Sequence, residues 1–305
     1  MQALTHLGLI FSQSLMASLA IIGKLVLPTV PPGVLVLLRV GGAATVLLAV
    51  NRAMGLKGIR DRRDLGQLAV LGLLGVAANQ SLFLLGLRYT TAINATLLVA
   101  SIPVFTVLFS VLLKREPPSG LKLGGIAAAA AGTLYLIGPD RVTLAPGTAL
   151  GNTLILCGML AYSLYLIYSK ALAGKYRSVT MSFYVMFFGA LGVLPFGIYS
   201  LWGADLAAIR PVTWGLVGYI VIFPTLVAYF IHIWALKRAS PNLVASYIYL
   251  QPVLTALVAP RVLEGEHITA RTLLAAAMIF AGLALVIRGE LVQHRQLPVN
   301  PLAGE

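Results

Sequence analysis

The sequence predicts an all-α membrane protein in which ten transmembrane helices form two inverted five-helix repeats. Composition predicts the membrane class: of 305 residues, 59% are apolar and only 10% are charged, whereas soluble domains carry about 25% charged residues. The mean hydropathy of +0.93 excludes a soluble domain of this length. A weak repeat between the two halves of the chain predicts the inversion.

Ten windows of mainly apolar residues, each long enough to cross a bilayer at about 20 residues, follow one another along the chain. They are 4–27, 32–50, 65–87, 92–113, 119–137, 150–168, 178–199, 212–234, 241–262 and 269–287. The first window lacks a basic leader and a cleavage motif before Pro28, so it is expected to be a retained helix. We divide the chain into a first repeat (1–137), a connecting loop (138–149), a second repeat (150–287) and a cytoplasmic tail (288–305).

Two proline-containing stretches mark the repeat: Pro103 lies within the fourth window and Pro252 within the ninth, 149 residues later. Further identities follow at an offset of 150 after one inserted residue, among them Glu116 with Glu266 and Gly132 with Gly282. A proline inside a helix frees a backbone carbonyl and bends the rod. Such groups are tolerated in lipid where they face protein or water. We therefore predict that Pro103 and Pro252 are hinges beside a central cavity; packing kinks are the alternative.

Because each repeat has five helices, an odd number, the second repeat enters the membrane from the side opposite to the first. Inverted repeats of this kind are typical of alternating-access transporters, whose substrate site lies near the midplane between the halves. Residues 124, 128 and 132 of the fifth window are small and spaced by four. This spacing favours close helix packing, either within the bundle or between two copies of the chain.

The net charge of +13 reflects cations scattered singly through short loops, which is not the pattern of a nucleic-acid-binding patch. With a cytoplasmic N-terminus, 15 of the 22 cations fall on the cytoplasmic side and 5 on the other. The positive-inside rule then places both termini in the cytoplasm, and we expect a multi-pass protein of the bacterial inner membrane. The single cysteine, Cys157, excludes a disulfide within the chain.

Two cations, Lys24 and Arg39, fall inside predicted spans, whereas all nine acidic residues fall in loops or tails. A cation at membrane depth is costly unless it reaches the interface, finds carbonyl groups or meets an anion. We hypothesise that Lys24 or Arg39 attracts a substrate carboxylate, with snorkelling as the alternative. The lack of an intramembrane carboxylate disfavours coupling of transport to proton movement through a carboxylate relay. Exchange, facilitated export and a histidine-linked route are the alternatives.

Several uncharged polar and aromatic residues lie near the middle of their spans. Amide and hydroxyl groups can hold a zwitterionic head while aromatic faces accept an apolar tail. Hydrogen bonding between helices is the alternative for each of them, and His232 is expected to be structural, near the cytoplasmic end. The predicted substrate-binding residues, beside Lys24 and Arg39, are Asn79, Ser101, Tyr162, Tyr165, Tyr247 and Gln251.

A set of short motifs resembles the EamA-type members of the drug/metabolite transporter superfamily. In the first repeat these are Lys24, Pro32 and Arg39, then the segment LGLRY at 85–89, Pro103 and Glu116; in the second they are Ala161-Tyr162, the segment WAL at 234–236, Pro252 and Glu266. One departure is that Ser-Gln-Ser and Leu15-Met16 stand where the family often has Trp-Gly. Within the family the chain looks most like the YddG-like amino acid exporters. The resemblance implies a carrier without a cofactor or metal that contacts membrane lipid and a small solute, as a monomer or a homodimer.

The leading interpretation is an exporter of amino acids, including aromatic or other apolar ones, or of similar small metabolites. Export of drugs or organic cations is the alternative within transport, although such a carrier favours a buried carboxylate. A membrane-embedded enzyme needs a nucleophile with a base, or a metal cluster, at one depth. Of the four histidines only His232 lies in a central span, without an adjacent acid, so an enzyme is disfavoured.

Overall fold

The computed structural model describes residues 2–89, 95, 98–115, 119–137, 146–202, 204–262 and 270–296, and these form helices joined by short turns, with no strand among them. The first half of the chain contains α1 (Gln2–Val26), α2 (Pro32–Ala53), α3 (Arg62–Tyr89), α4 (Ile102–Leu112) and α5 (Gly120–Ile137). The second half contains α6 (Pro146–Lys175), α7 (Ser178–Leu201), α8 (Pro211–Leu236), α9 (Pro241–Ser246), α10 (Leu250–Val262) and α11 (Ala270–Gln296).

Six of these helices, α1, α2, α3, α6, α7 and α8, are long and apolar enough to cross a membrane. Shorter apolar helical segments cover Ile102–Leu112 and Leu273–Gly289. Each of the ten windows predicted from the sequence contains a helix within the described residues. Many large apolar side chains point outward, including those of Leu112, Ile198 and Leu273, as expected for a protein surrounded by lipid.

Local signals in the sequence explain where several helices begin and end. Pro32 opens α2, where the missing proline N–H leaves no helical bond unmade. After α2, Gly55 adopts a left-handed conformation with a φ of 58°, which ends the helix at low steric cost. Asp61 caps α3 by accepting a hydrogen bond from the backbone N–H of Arg63, and Ser240 caps α9 by accepting one from Leu243.

Two helices contain a π-helical segment at corresponding places in the two halves. In α3 it covers Leu73–Ala78, and in α8 it covers Val221–Val227, so the two segments begin 148 residues apart and end 149 residues apart. The second contains Pro224, which cannot donate to the regular helical ladder. A π segment widens the backbone and is frequent at functional sites, and here both segments lie where the two halves meet.

The helical geometry changes just before each of the two predicted hinge prolines. Pro103 is the second residue of α4, and the preceding turn is closed by Ser101, whose backbone N–H and hydroxyl both donate to the carbonyl of Leu98. Pro252 is the third residue of α10, which follows a 3₁₀ turn at Tyr247–Tyr249. Pro103 thus lies in the first turn of α4, where its missing N–H leaves no bond of that helix unmade. Residues 241–262 stay helical throughout, with the 3₁₀ turn just before Pro252, and the role of both prolines as hinges stays a prediction.

Corresponding helices of the two halves of the chain make corresponding contacts with the other half. Helix α2 packs against α7, α4 against α9 and α5 against α11, while α1 contacts α8 and α3 contacts α6. The glycine-rich face of α5 serves this packing within the chain. A Cβ on Gly282 would lie 2.5 Å from the carbonyl oxygen of Gly125, so the backbones of α5 and α11 touch.

Of the three small residues predicted to form the packing face of α5, Gly132 lies on that face, and the other two positions are shifted by one residue. Gly125, Ala129 and Gly132 face α11, whereas a Cβ on Gly124 would meet nothing within 4 Å. Residues 125, 129 and 132 follow the three-to-four-residue spacing of one helix face. Helix α11 packs against that face, and the face through Gly124 does not contact it.

Candidate functional site

A cavity of about 80 Å³ lies between the two halves of the chain. Helices α1, α2, α3, α6, α8 and α10, together with the residues before α4, supply its walls, so both halves build it. Its apolar lining residues are Met16, Leu19, Ala20, Phe83, Leu87, Ala95, Val99, Ile102, Met159 and Ile248. Its polar lining residues are Arg39, Asn79, Gln80, Tyr162, Tyr229, His232, Gln251 and Thr255.

Arg39 is the charged residue of this lining and is fully buried. Its Nε donates to the hydroxyl of Thr225 at 3.0 Å. Thr225 in turn donates to the carbonyl of Ile220, five residues back, at 2.7 Å. Both Nη1 and Nη2 are buried and meet no acceptor among the described residues. The π segment of α8 therefore orients the guanidinium while two of its nitrogens stay available.

A chain of hydrogen bonds runs along one wall of the cavity and joins α1, α6, α8 and α10. The side-chain amide of Gln251 donates to the amide oxygen of Gln13 at 2.6 Å, and Nε2 of Gln13 lies 3.2 Å from Nε2 of His232. Because an amide NH₂ group only donates, Nε2 of His232 accepts. Its Nδ1 then carries the ring hydrogen and donates to the hydroxyl of Tyr162 at 2.9 Å. This assignment makes His232 neutral.

A second group of bonds connects α8 to the π segment of α3. The amide of Gln80 donates to the hydroxyl of Tyr229 at 2.6 Å, and that hydroxyl donates to the carbonyl of Gly75 at 2.9 Å. The ring of Tyr165 lies directly against Gly75, where any Cβ would collide with it. Tyr229 thus satisfies a backbone carbonyl in the π segment from the opposite half of the chain.

Four of the eight predicted substrate-binding residues line the cavity: Arg39, Asn79, Tyr162 and Gln251. Asn79 also donates to the carbonyl of Gly158 at 3.1 Å, which fixes its amide. They come from α2, α3, α6 and α10, so the fold brings together residues up to 212 positions apart in the chain.

The other four predicted residues lie outside the lining. Lys24 is half-buried and its Nζ donates to the carbonyl of Leu87 at 3.4 Å. The hydroxyl of Ser101 bonds to its own turn, and the Tyr247 hydroxyl bonds to His6. Tyr165 is fully buried beside the cavity rather than in it.

Sequence reasoning did not assign Gln80, Tyr229 or His232 to the site, although all three line the cavity. His232, expected to be structural near the cytoplasmic end of its helix, faces the lining and is hydrogen-bonded to Gln13 and Tyr162. A usable signal was present: each is a polar side chain within an apolar helix, and each is buried, which requires a partner or a ligand.

The model of the EamA-like transporter family matches this chain twice, over residues 4–138 and 149–288. The chain belongs to the EamA-like transporter family. It is therefore a multi-pass membrane protein of a transporter family, and the family assignment agrees with the resemblance noted from the sequence motifs.

Other proteins of this kind are similar to the EamA-like chain over most of its length. An uncharacterized transporter of Bacillus subtilis, YetK, is 24% identical, over 98% of this chain and 90% of that protein. A protein of Streptantibioticus cattleyicolor named as a probable terminal-alkyne amino-acid exporter is 28% identical over 83% of each chain. One crystal structure superimposes with a TM-score of 0.75 at 21% identity, over 95% of this chain and 98% of the other. This likeness shows a shared fold.

Proposed function

We propose that this EamA-like protein exports amino acids or similar small metabolites by alternating access, without changing the solute chemically. The observation that carries the proposal is the guanidinium of Arg39, which lines the cavity, is fully buried and has two nitrogens without an acceptor among the described residues. Leaving a charged donor unpaired away from water is costly. A solute that supplies an acceptor there offsets this cost.

A carboxylate fits the two free nitrogens of Arg39 best. The planar guanidinium presents parallel N–H groups that match the two oxygens of a carboxylate. Because Nε is already occupied by Thr225, the remaining donors, Nη1 and Nη2, point in a fixed direction. A carboxylated solute would therefore enter with its acidic group toward α2.

The rest of the lining favours a small zwitterion with an apolar side chain. Amide and hydroxyl groups of Gln80, Gln251 and Tyr162 offer acceptors for an ammonium group, and Phe83 and Met159 offer apolar contacts. Such a mixture of a mainly apolar wall with a few oriented polar groups is common in small-molecule sites. The name of the Streptantibioticus relative supports an amino acid as the solute.

We further propose ten membrane crossings in two inverted units, 1–137 and 150–287, joined by the loop 138–149 and followed by a cytoplasmic tail at 288–305. Four observations support this arrangement: the paired π segments, the irregular turns before Pro103 and Pro252, the corresponding helix contacts in the two halves and the two family matches. In inverted-repeat carriers the halves rock against each other around a central site. The irregular turns before the two prolines and the two π segments are the places where the helices can change direction.

The cation bias supports a location in the bacterial inner membrane with both termini in the cytoplasm. Export of organic cations is the competing function. Among the described lining residues none is acidic, so a cation would meet Arg39 without a counter-ion. That electrostatic balance favours anionic or zwitterionic solutes.

Counterflow in proteoliposomes tests the proposal. Purified protein would be screened with the twenty labelled amino acids and several organic cations, and the released solute checked for chemical change. We expect exchange of unaltered amino acids, with R39Q lowering it about a hundred-fold, because losing charge-assisted bonds costs about 3 kcal/mol. K24Q is the matched control and should retain transport, since Lys24 lies outside the lining. Transport of cations alone, chemical turnover, or full activity of R39Q would refute the proposal.

A further inference from the structure

A second concave surface, which we call the α3–α6 groove, opens on the outside of the bundle near the first turn of α3. Its volume is about 550 Å³, and residues of α3, α6 and the turn after α4 line it. It is separate from the central cavity and shares no lining residue with it. The groove is open at the surface along α3.

The polarity of the α3–α6 groove changes along its length. Arg63, Gln67, Val70 and Leu74 follow the three-to-four-residue spacing of one face of α3. From the first to the last, the helix rises about 16 Å at 1.5 Å per residue. Val70 is 55% exposed, so the inner part of the groove presents an aliphatic surface. One end is therefore cationic, the middle is polar and the far end is apolar.

Two arginines line the groove. Arg63 comes from α3, and Arg115 follows α4 with its guanidinium carbon 5.7 Å from the ring centroid of Tyr168 on α6. A cation at this distance from an aromatic face is attracted to it, which holds Arg115 over the groove. Both arginines are exposed, so their guanidinium groups are available to an anion.

Among the described residues, the carboxylates next to Arg63 in the chain are engaged by Lys175. Lys175 donates to the carboxylate of Asp64 and lies 3.5 Å from that of Asp61. Tyr176 also donates to Asp64, and this bond raises the pKa of the tyrosine. Lys175 thus offsets acidic charge that would otherwise compensate Arg63 and Arg115.

We propose that the α3–α6 groove binds an anionic phospholipid, with its phosphate between Arg63 and Arg115 and an acyl chain along Val70 and Leu74. An amphiphile of this charge and length matches the gradient along the groove. Basic pockets between transmembrane helices are suited to acidic lipid headgroups, and each cation near such a surface contributes about 1 kcal/mol. A zwitterionic lipid gains less, because its own ammonium group opposes the arginines.

Native mass spectrometry of the detergent-solubilised full chain tests this site. The protein would be titrated with phosphatidylglycerol and, separately, with phosphatidylcholine of the same acyl chains. We expect tighter binding of phosphatidylglycerol, and R63Q/R115Q should weaken it about thirty-fold, to the level of phosphatidylcholine. R52Q/R288Q removes two exposed arginines outside the groove and should leave the preference intact.

The contact between the acyl chain and the apolar part of the α3–α6 groove requires a separate experiment. V70W fills the groove without changing charge and should weaken phosphatidylglycerol binding, whereas sn-glycerol 3-phosphate, a headgroup without chains, should compete poorly. The proposal is overturned if R63Q/R115Q keeps the lipid preference, if V70W binds phosphatidylglycerol as tightly as wild type, or if glycerol phosphate competes as well as the intact lipid. Size-exclusion profiles of all variants establish that each is folded.

Discussion

Replacing Arg39 by methionine should make the protein more heat-stable while abolishing transport. The unpaired guanidinium is a cost that the fold carries in the absence of solute. Methionine is flexible and apolar and fills much of the same space. The substitution therefore removes the buried charge without opening a large void, and it also removes the group to which we assign the carboxylate.

The expected gain in the stability of R39M follows from the hydrogen bond that Arg39 makes and from the two nitrogens that make none. Each of the two unsatisfied buried donors costs about 1–3 kcal/mol, so the pair costs about 4 kcal/mol. Losing the charge-assisted bond from Nε to Thr225 offsets about 2 kcal/mol, and Thr225 keeps its bond to Ile220. A net gain of about 2 kcal/mol corresponds to a rise of about 4 °C in Tm for a chain of this size.

Thermal unfolding in detergent, followed by differential scanning fluorimetry, measures this change. R52M is the matched control, because it makes the same substitution at an exposed position where stability should change by no more than about 0.5 kcal/mol. Adding a transported amino acid at a hundred times its Kd should stabilise wild type by about 2.7 kcal/mol and leave R39M unchanged.

A lower Tm for R39M than for wild type would contradict the predicted gain in stability. That result would mean that the guanidinium is satisfied in the folded protein and that its role is structural. If the solute stabilised R39M and wild type equally, the proposed contact between Arg39 and the solute carboxylate would be wrong, because the carboxylate would then bind elsewhere in the cavity.

Three further predictions concern the scaffold. G282L should lower stability by about 3 kcal/mol or more, since the side chain meets the backbone of the facing helix, while G124L should be nearly neutral; chemical or thermal unfolding compares them. Y229F removes the hydroxyl that links α8 to the π segment of α3 and should cost about 1–3 kcal/mol in the same measurement and alter the rate of exchange. In a cysteine-free background, R52C should react with an impermeant thiol reagent from the cytoplasmic side and R210C from the opposite side; labelling of both from one side would contradict the proposed topology.

Much of the fold follows from the hydropathy and turn signals. Pro32 and Gly55 mark the ends of α2 closely, because proline and a left-handed glycine act locally. The π segments were not predicted, since they depend on tertiary contacts such as the bond from Tyr229 to Gly75. Pro103 and Pro252 mark where the helical geometry changes, but the sequence did not reveal the turn at 100–101 or the 3₁₀ turn at Tyr247–Tyr249.

The sequence predicted those site residues whose burial inside an apolar span is energetically costly. Arg39 stood out because a cation inside an apolar span needs a partner, and the structure places it in the cavity lining. Lys24 met the same criterion, but lies close enough to the end of α1 to reach a carbonyl group. His232 and Gln80 were missed because the face that a helix turns inward depends on its neighbours, and hydrophobic periodicity is weak in helices that are apolar all round.

Counterflow of an amino acid and of its own amide tests directly whether Arg39 binds the solute carboxylate. The two share the side chain and the ammonium group, and differ in the carboxylate that we assign to Arg39. For the amino acid with the strongest signal in the transport screen, we predict exchange of the acid, little exchange of the amide, and loss of this difference in R39Q. Equal exchange of acid and amide by wild type would show that the carboxylate is not recognised, and would contradict the central claim.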